Sequence, residues 1–227
     1  MRLSSGGHEA PGCAGFDHRE ELSALPPAEA WFVFDVGGVL VDETRVWQGW
    51  AAHLAVPYET LWGALCEDIA QGLSHRHTMQ RLAPGHDIMA IRRARLAQDA
   101  PLEADLYPDV RPAFAALRAR GFRIGIAGNQ PLEAGPALEA LELGADFIAT
   151  SAGWGVQKPD PRFFERVIEH CAAPPAAITY VGDRVDNDIL PARAAGLAAL
   201  YVPRGLWAAV APPDAPPPLA SLLDILA

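Results

Sequence analysis

Two hydrophobic rhythms alternate along this chain. Short runs dense in apolar, aromatic and β-branched residues occur at Trp31–Phe34, Phe122–Ala127, Phe147–Ala149, Ile178–Val181 and Leu197–Val202. Runs of that length and make-up are expected to be buried strands. Between the later runs, apolar residues recur at three- and four-residue steps and predict helices. One ends at Arg120 before Gly121, one covers Leu132–Leu143, one runs through His170, and one runs to Ala195 before Gly196. A terminal helix is expected over Leu219–Leu226, after the Pro-rich spacer 212–218. From Asp42 to about Gln98 only the helical rhythm is found, in Val46, Trp47, Trp50, Leu54, Leu61, Leu65 and Ile69. Pro57 and Pro84-Gly85 divide it into a few short helices. Strands alternating with helices predict an α/β fold, a Rossmann-like doubly wound parallel sheet with helices on both faces. The expected core is 30–41 with 106–227, and 42–105 is an inserted all-helical subdomain. Residues 1–29 have no periodicity and are expected to be a flexible lead-in.

The chain has 227 residues, half of them hydrophobic and a fifth charged, enough for one sizeable domain with a smaller insert. Its formal net charge of −10 argues against nucleic acid or an anionic membrane surface as the main partner. A local site can still be basic or metal-bearing and take a small phosphorylated substrate. Cys13, Cys66 and Cys171 are odd in number, widely spaced and without a CxxC pair, so they suit a reducing compartment. With no signal-peptide core and no membrane-spanning run, the expectation is a cytoplasmic protein. The tryptophans of the insert suit internal packing or a second subunit, leaving a monomer or a homodimer open. His75-x-His77 lacks the i, i+4 spacing that puts two ligands on one helix face.

Polar residues follow several of the strands: Asp35 before Gly37-Gly38, Asn129, and Asp183 with Asp188. In an open α/β sheet these positions converge on the carboxyl edge, where ligands bind. The loop that carries Lys158 joins them from the same side. Taken singly, the pieces have plain structural uses. Asp35 could begin a tight turn, Asp160 could cap a helix, and Asp183, Asp186 and Asp188 could form an acidic turn. Together they form a carboxylate cluster, which is costly unless a cation neutralises it. Mg²⁺ suits one or two carboxylates, carbonyls and phosphate oxygens, and a lysine beside it is a point charge for a phosphoryl group.

In this order and spacing, FDVGGVL (34–40), GNQ (128–130), KPDPRFF (158–164) and VGDRVDNDI (181–189) resemble the haloacid dehalogenase-like hydrolases. The resemblance covers about residues 31–205 and is to the branch with a helical cap after the first strand. It implies that Asp35 is a nucleophile that takes up a phosphoryl group as an aspartyl phosphate. Lys158 would hold the nucleophile and the transferring group. The Asp35 carboxylate, the Gly37 carbonyl, Asp183 and Asp188 would hold Mg²⁺, with Asp188 as ligand or behind the ligands. Two positions depart from the family pattern. Gly37 stands where a general acid–base Asp is usual, help typically worth ~10²–10⁴ in rate. Gly128 stands where a Ser or Thr hydroxyl usually meets the phosphoryl oxygen, leaving its backbone N–H and Asn129 as possible donors. Asp42, Glu43 and His53 are candidates to replace the missing base. Trp154 is expected to face the substrate pocket, with a core anchor for its loop as the alternative. The implied activity is Mg²⁺-dependent hydrolysis of a small phosphorylated metabolite. Alternatives are a catalytically weak or inactive phosphate- and metal-binding protein, and a dehalogenase, whose usual aromatic residue at position 37 is absent.

Overall fold

The structure is a computed structural model and describes residues 29–226; the expected lead-in lies outside the described residues except for Glu29. Five strands form one sheet: β1 (Trp31–Phe34), β2 (Arg123–Gly128), β3 (Phe147–Thr150), β4 (Ile178–Gly182) and β5 (Ala198–Tyr201). Their order is β3-β2-β1-β4-β5, and every neighbouring pair is parallel. The order reverses at β1, so the central strand ends at the switch point of the sheet. Phe34 pairs with Ile126 on one side and Val181 on the other, and the Asp35 N–H then donates to the Val181 carbonyl at 2.9 Å. Asp35 thus leaves the middle of the sheet at its carboxyl edge.

Side chains alternate across a strand, and β1 feeds two cores. Phe32 and Phe34 point to one face, among Phe114, Leu117, Ile124 and Ile126. Trp31 and Val33 point to the other, among Phe163, Phe164, Val167 and Tyr180. Full burial of side chains of this size contributes roughly 1.5–3 kcal/mol each. The helices over these faces include α5 (Val110–Ala119), α6 (Ala134–Ala140), α8 (Pro161–Cys171) and α9 (Leu190–Ala194), with one turn, α7 (Ser151–Trp154), after β3.

Between β1 and α5 lie four short helices, α1 (Thr44–His53), α2 (Tyr58–Ala70), α3 (His75–Leu82) and α4 (Ile88–Arg95). Ser74 and Asp87 cap α3 and α4 by accepting N–H groups of the first turn. The four share a separate apolar cluster, including Trp47, Trp50, Leu61, Leu65 and Ile91. Leu206 of α10 (Gly205–Ala209) joins this cluster and seats the insert on the rest of the molecule. The two connections to the insert are held together by Arg45. Its guanidinium bonds both Asp105 carboxylate oxygens at 2.6–3.1 Å and the carbonyls of Gln98 (2.5 Å) and Ala100 (2.8 Å).

Two expected helices differ. The stretch before α9 opens as a wide π-type turn over Val185–Ile189. The Asp188 carboxylate there takes the N–H groups of Asp183 and Arg184 and draws the first turn outward. The terminal helix expected over 219–226 shrinks to a 3₁₀ turn, Leu222–Leu226. Asp224 and Asp109 accept the Ser221 and Leu222 N–H groups instead, and the proline run precedes them directly.

Candidate active site

At the carboxyl edge of the sheet, Lys158 is buried between two carboxylates. Its Nζ lies 2.9 Å from Asp35 Oδ2 and 2.6 Å from Asp188 Oδ1. The rings of Tyr180 and Phe163 flank the ammonium at 5.2 and 5.8 Å, and the Tyr180 hydroxyl donates to the Ala127 carbonyl at 2.8 Å. Asp35, Asp183 and Asp188 each offer an oxygen within 4.8 Å of the others. Burial pushes the Asp35 carboxyl up to about 6, with Lys158 opposing and Asp188 adding to the rise. Burial, then Asp188 and Asp35, push Asp183 well above the usual carboxylate range. Burial works against the Lys158 charge, but Asp188 and Asp35 outweigh it and hold the ammonium firmly protonated.

The oxygens in this cluster are not equivalent. Asp188 Oδ1 accepts from Lys158 and from Asn187 Nδ2 at 3.1 Å, while Oδ2 accepts the Asp183 and Arg184 N–H groups at 3.1 and 2.9 Å. Asp183 Oδ2, by contrast, is buried with no hydrogen-bond partner among the described residues. A buried, unpartnered carboxylate oxygen beside a second carboxylate is what a hard divalent cation would satisfy. Asp35 and Asp183 could hold such an ion, and Asp188 fixes the lysine and the turn around them. Gly38 allows this crowding: its φ is +71°, and a Cβ there would lie 1.9 Å from Asp183 Oδ2. At Gly128 a Cβ would lie 2.4 Å from Asp35 Oδ1, so the nucleophile candidate fills the room that a side chain at 128 would need.

Above the cluster opens a cavity of about 280 Å³. Asp35, Gly37, Asn129, Lys158 and Asp183 line its floor; Trp47, Trp50, His75, Arg76, Met79 and Arg92 line the wall given by the insert. The sequence reading missed this wall. Its trace was the i, i+4 spacing of His75 with Met79 and of Ile88 with Arg92 on two short helices. Burial pushes the His75 imidazole below its ordinary range, and Arg92 and Arg184 add to that.

Of two expected substrate contacts, one lines the cavity and the other does not. Asn129 lines the cavity, but its amide is engaged with the Lys158 backbone, donating to the carbonyl at 2.9 Å and accepting the N–H at 2.8 Å. It clamps the lysine loop. Trp154 does not line the cavity. It packs on Phe163 and His170, with ring centroids 5.1 and 4.9 Å away, and anchors its loop to α8. Of the three candidates for the missing base, Asp42 accepts the Thr44 N–H at 2.8 Å, and His53 does not line the cavity. Glu43 does, and a Cβ built on Gly37 would meet its Oε1 at 2.7 Å. Burial pushes the Glu43 carboxyl up to about 7, with Asp35 and Asp42 adding to it.

A family model described as a haloacid dehalogenase-like hydrolase matches residues 30–196. A Mycobacterium tuberculosis protein named as a phosphatase is 27% identical over 182 residues, covering 74% of this chain and 76% of that protein. The glyceraldehyde 3-phosphate phosphatase of Methanopyrus kandleri is 33% identical over 104 residues, 44% of this chain and 45% of that protein. The phosphoglycolate phosphatase of Escherichia coli is 35% identical over 103 residues, 44% of this chain and 40% of that protein. The chain therefore matches less than half the length of these last two relatives. Among solved structures, CbbY from Rhodobacter sphaeroides in complex with phosphate superposes with a TM-score of 0.63 at 20% identity. That match covers 86% of this chain and 96% of that one, and it speaks to the fold.

Proposed function

The chain belongs to the haloacid dehalogenase-like hydrolases, and from that premise we propose that it hydrolyses a small phosphorylated metabolite through an aspartyl phosphate on Asp35. The observation that carries this reading is the buried Lys158 held between Asp35 and Asp188, beside the unpartnered oxygen of Asp183. Asp35 Oδ attacks phosphorus while the bond to the leaving oxygen breaks. Water then attacks the acyl phosphate and returns Asp35 as a carboxylate. Lys158 orients Asp35 and offsets charge on the equatorial phosphoryl oxygens. Mg²⁺, held by Asp35 and Asp183, would neutralise the phosphoryl group and the carboxylates beneath it. Asp188 keeps Lys158 and Asp183 in place, and Asn129 keeps the lysine loop in place.

The four-helix insert acts as the cap in this reading, closing one wall of the cavity and excluding water. Its modest volume and the arginines on that wall suit a small anionic ester. The names of the relatives, which act on three- and two-carbon phosphates, point the same way. The free Cys66 and Cys171 suit the reducing cytoplasm. The test is phosphate release from a panel of small sugar, polyol and 2-hydroxyacid phosphates, with and without Mg²⁺. The expected result is Mg²⁺-dependent turnover of at least one ester, abolished in Asp35→Asn. Turnover unchanged by Asp35→Asn would reject the reading. Mg²⁺-dependent binding of esters without turnover would favour the inactive binding protein instead.

A further inference from the structure

Hydrolysis by way of Asp35 requires two proton transfers for which the cluster on the sheet edge has no free group. Lys158 is fixed between Asp35 and Asp188, Asp188 is saturated by four hydrogen bonds, Asp35 is itself the nucleophile, and Asp183, whose Oδ2 has no hydrogen-bond partner among the described residues, would be taken up by Mg²⁺ in that reading. Around the cavity, Asp99 is paired with Arg95 at 2.6 Å. His75, whose ring has no hydrogen bond among the described residues, stands on the wall given by the insert, 6.0 Å from the ring of Trp47. Glu43 differs in place, because it stands beside Gly37 in the loop that leaves the sheet edge. Among the described residues no hydrogen bond or ion pair engages its carboxyl group, and it lines the same cavity as Asp35, Lys158 and Asp183. Its position is dictated by the loop after β1. The Leu40 and Val41 N–H groups both return to the Val36 carbonyl at 2.9 Å, and the Gly38 N–H donates to the Val41 carbonyl at 2.9 Å. That turn lays Val41 beside Gly37 and brings Glu43 back over it. The carboxyl oxygen then stands 2.7 Å from where a side chain at position 37 would begin.

We propose that Glu43 is the general acid and general base of the reaction, reaching from the first turn of the insert into the space left open by Gly37. The proposal rests on the phosphatase reading above. In the first step the Glu43 carboxylic acid passes its proton to the leaving oxygen as the P–O bond breaks, giving the free alcohol and the Glu43 carboxylate. In the second step that carboxylate takes a proton from the water whose oxygen attacks the aspartyl phosphate. The Asp35–phosphorus bond breaks, and inorganic phosphate and the Glu43 acid are formed. A glutamate is long enough to do this from the insert, and Gly37 is what gives it room.

The experiment compares the unaltered chain with Glu43→Gln on an alkyl phosphate it turns over and on 2,4-dinitrophenyl phosphate, whose leaving group needs no proton. Release of the first product is followed separately from release of phosphate. Glu43→Gln is expected to lower kcat on the alkyl ester by ~10²–10⁴ with little change in KM. On the dinitrophenyl ester the first product should form in a burst of near-normal rate while phosphate release lags. Glu43→Ala combined with Gly37→Asp should regain part of the alkyl activity, since the alanine clears the space for the new carboxylate. Equal losses on both esters with no burst, or alkyl activity untouched in Glu43→Gln, would overturn the role of Glu43 and leave the phosphatase reading standing. No turnover of any ester by the unaltered chain would overturn both.

Discussion

Lys158 shows what single residues must tolerate at this edge of the sheet. Its ammonium is fully enclosed, which is costly for an isolated charge, and the two carboxylates in contact with it make the enclosure stable. Lys158→Met removes the only cation from the group and leaves the carboxylates facing one another. Urea unfolding at pH 7.5 is expected to show a loss of about 3–5 kcal/mol. The loss should shrink toward pH 5, because Asp35 and Asp183 already protonate more readily than ordinary carboxyls and lose their repulsion on doing so. Gly38 makes the complementary case. Gly38→Ala would set a methyl group 1.9 Å from Asp183 Oδ2, at a φ of +71°. Millimolar Mg²⁺ is expected to raise the Tm of the unaltered chain and to leave that of Gly38→Ala and of Asp183→Asn nearly unmoved, as read by scanning calorimetry. The convergence of Asp35, Lys158, Asp183 and Asp188 was legible in the sequence, because the three carboxylates come after strand runs and Lys158 lies in a loop just before Pro159. The work of Asn129 and Trp154 was not, because which way a loop residue turns depends on partners such as the Lys158 backbone and Phe163 that are distant in sequence. Glu43 could be named as one of three candidates, but that it is the one lining the cavity beside Gly37 depends on the turn at Val36–Val41.

At the scale of elements, the strands were legible almost to the residue, because parallel strands buried on both faces appear as near-continuous apolar runs. Helix ends were less so. The π-type turn before α9 and the shortened terminal turn are both set by carboxylates that capture backbone N–H groups, a competition that hydrophobic periodicity does not report. The insert was legible as helical, and its four helices share one cluster. Besides the seat given by Leu206, a guanidinium fork fastens the two ends of the insert together. Arg45 joins the entry to the insert, at its own position, to the exit at Gln98, Ala100 and Asp105. Asp105 is held below the usual carboxylate range chiefly by that hydrogen bond. Glu43 sits two residues before Arg45, so the fork also steadies the cavity wall. Arg45→Ala is expected to keep the sheet intact while hydrogen exchange in 98–105 speeds up by at least about tenfold, the equivalent of ~1.4 kcal/mol of local opening. Arg45→Lys should recover only part of the protection, because an ammonium cannot span both carboxylate oxygens and two carbonyls at once.

The whole molecule has a second polar knot, at the opposite functional extreme from the first. Asp109, at the start of α5, accepts from Arg204 Nη1 at 2.9 Å, from Arg204 Nη2, from the Ser221 hydroxyl at 2.8 Å and from the Leu222 N–H at 2.9 Å. It thereby ties α5, the connection between β5 and α10, and the last turn of the chain into one unit. Burial pushes its carboxyl up, but Arg204, the Leu222 N–H and the Ser221 hydroxyl outweigh this and hold it below the usual range. A carboxyl depressed in the folded state stabilises the protein above its unfolded value, near pH 4, and that stabilisation fades as pH falls through the folded value. The site carboxylates behave oppositely, since those raised in the folded state oppose folding once they ionise. Asp109→Asn should therefore cost about 3 kcal/mol at pH 7, because it leaves the Arg204 guanidinium without its partner charge. The gap between the variant and the unaltered chain should begin to close as pH falls below about 4 and close fully only below the folded value of Asp109. Paired urea titrations from pH 7.5 down to about 2 would reveal this, and a gap that stayed constant across that range would mean that the Asp109 contacts stabilise the fold without its charge.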